Sequence, residues 1–315
     1  MILAADIGGT KSLFGLFDRG HCVEHRRLAN ADFSNFPDVL SAALADLPRT
    51  RLTQVCLALA GPIADDGRSA TLTNLPWHID ATELARRFEL PTVMLVNDFA
   101  AAAMGAVMAA DDQRVILQSG KHHTTAPHLV VGAGTGLGMA IVLPATPPQT
   151  RGWQIVPGEG GHLAFAPADD EQHDLWATLR EQHPRVTWER VLSGAGLEAI
   201  YLFMCRRESA QATLTVNELA TAPADSTAGR AIDLFLRCYG AYAGDMAMSV
   251  LARGGVHLAG GIAGHLLTAF ERGGFLTAFN AKAEHAALMT AMPVSICTDP
   301  NLGLIGAAQL SIPNV

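Results

Sequence analysis

One pattern occurs twice in this chain: an apolar strand, a glycine-rich turn that contains threonine, and a second apolar strand. The first copy spans residues 2–17 with its turn at residues 8–11, and the second spans residues 129–143 with its turn at residues 132–138. Glycines permit a tight turn whose backbone N–H groups can face a phosphate. The repetition predicts two topologically similar halves. If the halves face each other, the two turns close on one polyphosphate, which is how a cleft enzyme would hold ATP.

The first turn, taken alone, is equally compatible with an ordinary glycine hairpin. It has neither the G-x-x-x-x-G-K-[ST] pattern of a Walker loop nor the G-x-G-x-x-G pattern of a Rossmann loop, both of which lead into a helix. Between the hairpins, helix and strand patterns alternate, with helices predicted at residues 36–47 and 80–90 and a buried strand at residues 55–60. This alternation indicates an α/β fold.

The junction at Asn97 and Asp98 joins a predicted strand to a predicted helix. Residues 91–96 have the branched aliphatic character of a buried parallel strand, and residues 100–110 are almost all good helix formers. Ligands of open α/β sheets collect at the carboxyl ends of strands, and a helix N-terminus stabilises a carboxylate by roughly 0.3–1 kcal/mol. We therefore interpret Asp98 as a candidate catalytic base. The alternative is that either residue only caps the helix, because Asn and Asp are favoured caps.

A second chemically dense stretch, residues 156–163, places Glu159 and His162 among glycines. Glycines give up side-chain contacts and cost conformational entropy, so core packing explains them poorly and a close approach of the backbone to a ligand would explain them. The stretch has neither the H-E-x-x-H pattern nor the carboxylate–histidine spacing of a zinc site. It is therefore a candidate ligand-binding segment without a metal.

Two further positions are candidates. Glu189 lies in the first turn of a predicted helix that Thr187 could cap, and by itself this glutamate is expected to compensate the helix dipole. The strand predicted to end at Gly260 and Gly261 finishes in a turn that suits a flat ring or a sugar approaching the backbone closely.

Composition limits the class of protein. The chain has 315 residues, 49% hydrophobic and 17% charged, which is typical of a globular protein long enough for two domains. The net charge of −8 argues against a nucleic-acid surface. The five cysteines form no C-x-x-C or metal-ligand spacing, and we expect them to be reduced core residues. Since no signal-like segment or run of about 18 apolar residues is found, we expect a cytoplasmic protein that does not bind a membrane.

The ordered motifs resemble those of bacterial glucokinases, within the superfamily that includes hexokinase, actin and Hsp70. The resemblance covers nearly the whole chain and rests on the motifs at residues 6–10, 96–99, 132–138, 157–162, 189–194 and 258–262. It implies an α/β fold of two ribonuclease-H-like (actin-like ATPase) domains, with an interdomain cleft that binds sugar and ATP. The implied small domain is residues 1–108 plus 299–315, and the large domain is residues 109–298. The related repressor and sugar-kinase family usually carries a cysteine-rich zinc motif, which is absent from this sequence.

Residue by residue, the resemblance implies phosphorylation of D-glucose at the 6-hydroxyl by ATP, with Asp98 as the base. The implied sugar-binding residues are Asn97, Asp98, Glu159, His162 and Glu189. Each hydroxyl of a hexose can donate and accept a hydrogen bond. Carboxylates, which accept, an amide, which donates and accepts, and an imidazole suit these hydroxyls. The implied nucleotide contacts are Ala5, Asp6, Ile7, Gly8, Gly9, Thr10, Lys11, Gly134, Thr135, Gly136, Gly260 and Gly261. No protein ligand to a metal is assigned, because Mg²⁺ is expected to be held by phosphates and water, with Asp6 acting through water. A homodimer is also implied.

Two alternatives stay open from the residues. One is a kinase for another hexose or an amino sugar, since hydroxyl ligands do not by themselves name the epimer. The other is a non-catalytic sugar-sensing regulator built on the same fold. Against the regulator, the chain opens directly on the first predicted strand, so we expect no DNA-binding module, and the candidate base is present.

Overall fold

The computed structural model describes residues 1–45, 52–145 and 152–311. The chain groups into two compact units, the first formed by Met1–Ala109, Ala145–Ile155 and Asp299–Val315, and the second by Ala110–Pro144 and Val156–Thr298. Residues 46–47 of the first predicted helix and residues 312–315 of the predicted small domain lie outside the described residues. The domain limits given above stay a prediction.

The first unit contains a five-stranded sheet and a two-stranded sheet. Its strands are β1 (Ile2–Ile7), β2 (Lys11–Asp18), β3 (His21–Ala29), β4 (Gln54–Leu59), β5 (Ser69–Thr71), β6 (His78–Asp80) and β7 (Val93–Asn97). The larger sheet has the order β3-β2-β1-β4-β7, in which the first three strands are antiparallel and β1, β4 and β7 are parallel. The predicted first hairpin is thus formed by β1 and β2.

Both faces of this sheet are covered. Leu3, Ala5 and Ile7 of β1 point into a core of large apolar side chains, whereas Ala4 belongs to a cluster of smaller ones on the other face. This is the period of two expected of a strand. The helices of the unit are α1 (Phe36–Leu44), α2 (Ala81–Phe88), α3 (Asp98–Met108) and α13 (Leu302–Leu310), together with a 3-10 turn at Asn30–Asp32.

The second unit is built on a six-stranded sheet. Its strands are β8 (Arg114–Gln118), β9 (His128–Ala133), β10 (Leu137–Pro144), β11 (Trp153–Gly158), β12 (Gly255–Ala259) and β13 (Val294–Cys297). The order is β11-β10-β9-β12-β13-β8. The predicted second hairpin is formed by β9 and β10, which are antiparallel, and β12 runs parallel to both β9 and β13. The division between the two units falls inside β11.

The core of the second unit centres on one long helix. Its helices are α4 (Asp170–Arg180), α5 (Trp188–Val191), α6 (Gly194–Arg207), α7 (Val216–Leu219), α8 (Thr227–Val250), α9 (Gly261–His265), α10 (Leu267–Phe270), α11 (Gly274–Asn280) and α12 (Ala286–Thr290). The α8 side chains Phe235, Tyr239 and Tyr242 are fully buried. Short 3-10 turns occur at Asp111–Gln113, Gly160–His162 and Ala283–His285.

Two local expectations need correction. The helix predicted at residues 100–110 begins two residues earlier, at Asp98, because Asn97 supplies the cap that starts it. The cysteines are free, but Cys22 is exposed rather than part of the core, because it lies on β3, the edge strand of the five-stranded sheet. Cys56, Cys205, Cys238 and Cys297 are buried as expected.

Candidate functional site

Asn97 and Asp98 lie where β7 passes into α3. Asn97 Oδ1 accepts hydrogen bonds from the backbone N–H groups of Phe99 (3.0 Å) and Ala100 (3.1 Å), so Asn97 is the helix cap. Asp98 Oδ1 accepts from the backbone N–H of Phe99 at 2.8 Å and from Asn97 Nδ2 at 3.1 Å. The capping alternative therefore describes Asn97, and it leaves Asp98 as a carboxylate oriented by its neighbours.

The electrostatics at the junction of β7 and α3 favour a group that accepts a proton. Burial raises the pKa of Asp98, while hydrogen bonds from the N–H groups of Phe99 and of Asp98 itself, and from the Asn97 amide, lower it. The pKa of Asp6 is raised to about 6, mainly by burial and also by the negative charge of Asp98, while the charge of Lys11 opposes the rise. Carboxyl groups with raised pKa values cluster at functional sites, since a base of higher pKa accepts a proton more readily.

The first glycine turn is closed by a hydrogen bond from the N–H of Gly8 to the carbonyl of Lys11 at 3.0 Å. Asn30, which is 2% exposed, holds the turn from the side. Its Nδ2 donates to the Gly8 carbonyl at 2.8 Å, and its backbone N–H donates to the Thr10 carbonyl at 3.0 Å. The buried Ser12 hydroxyl donates to Asn30 Oδ1 at 2.7 Å. The turn is therefore held by a buried network of hydrogen bonds within the protein itself.

Sequence reasoning missed Asn30 and also Asn74. A Cβ placed on Gly9 would lie 3.2 Å from the Cβ of Asn74, so Asn74 stands against the same turn. Both residues reach the turn from distant parts of the chain and belong to no local motif. Asn30 lies in a stretch that contains other polar residues and Asn74 lies in a loop, so neither is conspicuous in the sequence.

In the second unit, Glu189 is bound to the second glycine turn. Its Oε2 accepts the backbone N–H of Leu137 at 2.9 Å. The N–H of Gly134 donates to the Gly136 carbonyl at 2.8 Å, and the N–H of Gly194 donates to the Gly134 carbonyl at 2.9 Å. The Thr187 side chain makes no capping hydrogen bond to α5, so the expected cap is wrong. Glu189 is engaged with the turn rather than serving only the dipole of its own helix.

Glu159 and His162 lie together in the second unit. His162 Nε2 is 3.7 Å from Glu159 Oε2, and the two side chains are 61% and 89% exposed, respectively. Their polar atoms are therefore available to a ligand. The glycines between them have a different role from the predicted one, because a Cβ on Gly160 would lie 2.6 Å from the Tyr242 hydroxyl and one on Gly161 would lie 2.3 Å from the Leu137 carbonyl. These two glycines are required by packing against the protein itself.

Gly260 and Gly261 follow β12 at the edge of the sheet where the second glycine turn lies. Gly260 has φ +84°, and a Cβ there would lie 2.5 Å from the Ala133 carbonyl at the end of β9. Because β9 and β12 are parallel neighbours, with Gly132 opposite Ala259, their carboxyl ends share this edge. The predicted nucleotide residues of the second unit are thus brought together.

The predicted residues of the first unit converge in the same way. Asp6 on β1 pairs with Ala58 on β4, and Ala58 pairs with Val96 on β7, so Asp6 lies at the sheet edge where Asn97 and Asp98 follow. The turn at residues 8–11 continues directly from β1. Within each unit, the candidates therefore gather at the carboxyl ends of parallel strands.

Comparison with known proteins identifies the class. A family model described as glucokinase matches residues 3–312. Glucokinases of Trichormus variabilis and Chromohalobacter salexigens are 34% and 35% identical; each match covers 98% of this chain, and 98% and 96% of those proteins, respectively. The crystal structure of a glucokinase from an Antarctic psychrotroph superposes with a TM-score of 0.88, at 30% identity over 98% of both chains. A glucokinase from Balamuthia mandrillaris, solved with glucose, has the same fold at 23% identity and a TM-score of 0.80, covering 98% of this chain and 93% of its own.

The fold is that of sugar kinases with the actin-like ATPase architecture, which confirms the predicted fold class. The chain belongs to the glucokinase family.

Within the described residues, no helix combines the length and the apolar character that a membrane-spanning segment requires. Over residues 1–45, 52–145 and 152–311, no group of three or more histidine, cysteine, aspartate or glutamate residues could hold a metal ion.

Proposed function

We propose that this protein is a glucokinase that transfers the γ-phosphoryl group of ATP to the 6-hydroxyl of D-glucose. The observation that carries the proposal is Asp98, an oriented carboxylate of raised pKa at the strand–helix junction of a chain that belongs to the glucokinase family. General-base catalysis of this kind contributes about 10²–10⁴-fold to a rate.

In the proposed reaction, Asp98 accepts the proton of the glucose 6-hydroxyl as its oxygen forms a bond to the γ-phosphorus. The bond from that phosphorus to the β,γ-bridging oxygen breaks, and ADP leaves. Asn97 Nδ2 donates to Asp98 Oδ1 at 3.1 Å, and Asn97 is itself held by two N–H groups of α3. Asn97 therefore orients the base, and the hydrogen-bonding capacity left on its amide is available to a sugar hydroxyl.

The sugar-binding set proposed here is Asn97, Asp98, Glu159, His162 and Glu189. The exposed Glu159–His162 pair offers both acceptor and donor atoms, which suits the hydroxyls of a hexose. A site of this kind rejects analogues that lack a hydroxyl, by roughly 10⁴-fold where the partner group is left buried and unpaired.

For the nucleotide, we propose that amides of the two glycine turns bind the phosphates of ATP, with Gly260 and Gly261 beside them. Asp6 fits a role toward Mg²⁺, because it is a partly buried carboxylate at the first turn and carboxylate oxygen and water are preferred Mg²⁺ ligands. When bound with ATP, Mg²⁺ neutralises charge on the transferring phosphoryl group. Asp6 would act on it through water.

The remaining features of the proposal come from the sequence. We propose the small domain as residues 1–108 plus 299–315 and the large domain as residues 109–298, in a cytoplasmic homodimer. The net charge of −8 supports the absence of a nucleic-acid partner.

A coupled assay for glucose 6-phosphate, run on a panel of hexoses and amino sugars with Mg·ATP, tests the proposal. We expect D-glucose to have the highest kcat/KM. A higher value for another hexose would make the protein a kinase for that sugar. Sugar binding without turnover of any hexose would overturn the catalytic assignment and favour the regulator.

A further inference from the structure

Glu189 links the proposed sugar site to the second glycine turn. The carboxylate oxygen Oε2 accepts the N–H of Leu137 at 2.9 Å, 52 residues away in the chain. The turn is also held by the segment that follows Glu189, since the N–H of Gly194 donates to the Gly134 carbonyl at 2.9 Å. Residues 189–194 therefore contact the turn at both of its ends.

Gly136 shows how closely the carboxylate approaches. A Cβ on Gly136 would lie 2.6 Å from Glu189 Oε2 and 3.4 Å from its Cδ, and no other described residue, apart from the chain neighbours Thr135 and Leu137, comes within 4 Å of that position. A side chain at residue 136 would therefore displace the Glu189 carboxylate from its place against the turn. Such a match between a turn glycine and a single carboxylate is not explained by compensation of the α5 dipole.

The two oxygens of Glu189 have different surroundings. Among the described residues, the hydrogen bonds of the side chain engage Oε2 alone, and the side chain is only partly buried. Oε1 is therefore the oxygen left for a ligand. A single carboxylate can bind a sugar hydroxyl through one oxygen and position a phosphate-binding turn through the other.

We propose that Glu189 is a positioning residue for the nucleotide as well as a sugar ligand: its Oε2 holds the turn at residues 134–137 in the conformation that binds phosphate. This inference rests on the proposed function only in assigning phosphate binding to the turn. It predicts that a change at Glu189 weakens nucleotide affinity whenever the acceptor to Leu137 is lost, independently of any sugar.

Two substitutions separate the roles. In Glu189→Gln, the amide oxygen still accepts the Leu137 N–H while the carboxylate offered to the sugar is lost; in Glu189→Ala, both are lost. We expect the Kd for a non-hydrolysable ATP analogue with Mg²⁺, measured by calorimetry without sugar, to stay within about twofold in Glu189→Gln and to rise about tenfold in Glu189→Ala. Glu198→Ala, at an exposed glutamate on α6, is the matched control and should leave this Kd unchanged.

A double-mutant cycle tests the contact directly. Gly136→Ala alone should weaken nucleotide binding, since its Cβ collides with Glu189; in the Glu189→Ala background it should add no further loss, because the colliding atoms are gone. Additive losses would overturn the inference. Thermal unfolding of each variant separates a loss of fold from a loss of affinity, and the Gln variant provides a folded comparison.

The outcomes separate this inference from the proposed function. Equal nucleotide Kd values in the Gln and Ala variants would overturn the positioning role, while the proposed glucokinase function would still stand. Wild-type protein that binds the ATP analogue but does not phosphorylate glucose would overturn the proposed function, while the cycle still decides the role of Glu189. Wild-type protein that binds no nucleotide would overturn both.

Discussion

Asp98 is the residue whose chemistry is most sharply defined. Its replacement by asparagine keeps the size and the hydrogen bond from Phe99 but removes the group that accepts a proton. We expect Asp98→Asn to lower kcat by about 10²–10⁴-fold while the glucose Kd changes by no more than a few fold. The coupled assay gives the first quantity and calorimetry the second. Asp112→Asn, at an exposed aspartate of the 3-10 turn at Asp111–Gln113, is the control, and near-normal turnover in Asp98→Asn would contradict the assigned role.

Asp6 makes a prediction about stability and pH. Because burial and the charge of Asp98 raise its pKa from 3.8 to about 6, the folded chain holds this proton more tightly than the unfolded chain. Its stabilising contribution is present below pH 3.8 and is lost as pH rises through about 6. Asp6→Asn should therefore raise the free energy of unfolding at pH 7.5 by on the order of 2 kcal/mol, and by much less as pH falls toward 4.

The measurement is chemical denaturation of wild type and Asp6→Asn at several pH values between 4 and 7.5. The same variant should lose kinase activity, because asparagine lacks the negative charge that is proposed to act on Mg²⁺ through water. The gain in stability would then accompany a loss of function, as is common for residues placed for function. A stability difference that does not depend on pH would show that the charge of Asp6 is not its cause.

At the scale of elements, α3 and α13 approach each other so closely that no residue larger than glycine fits at two positions of their contact. A Cβ on Gly105 would lie 2.1 Å from the Leu302 carbonyl, and one on Gly306 would lie 1.7 Å from the Ala101 carbonyl. Because α13 also packs on β1, and α3 begins at Asp98, this contact helps to position the strand that carries Asp6 and the helix that begins at Asp98.

Gly306→Ala should therefore destabilise the protein by about 1–3 kcal/mol or more, although alanine is the better helix former by about 1 kcal/mol. Packing wins because the obstructing atom is backbone. Gly264→Ala is the matched control, since Gly264 also lies in a helix but nothing stands within 4 Å of its Cβ position. It should be neutral or slightly stabilising in the same urea titration, and equal effects of the two substitutions would refute the packing argument.

At the scale of the whole molecule, substrate binding should increase the free energy of unfolding. D-glucose at about 100 times its Kd should stabilise the folded protein by about 2.7 kcal/mol, because the ligand binds the folded chain alone. Thermal shift measurements with D-glucose and with L-glucose as the control check this expectation. An equal shift from both enantiomers would indicate a non-specific effect and would count against the sugar site.

Much of the architecture was predictable because its signals are local. The two hairpins follow from apolar runs on either side of glycine turns, and the β7–α3 junction follows from a branched aliphatic run that meets an alanine-rich one. Their residues are adjacent in sequence, so short-range sterics and the period of the apolar pattern are sufficient. The observed helix boundaries differ from the predicted ones by a few residues where a capping residue sets the start of the helix, as at Asn97.

The sequence alone thus determined the α/β class, the two repeated hairpins and the placement of Asn97 and Asp98 at the end of a strand. Only the tertiary structure decided that Asn30 holds the first turn, that Gly160 and Gly161 accommodate protein atoms, and that Glu189 holds the second turn. These contacts join residues tens of positions apart. They depend on how strands pack in three dimensions, and no periodic pattern along the chain encodes which distant amide meets which carboxylate.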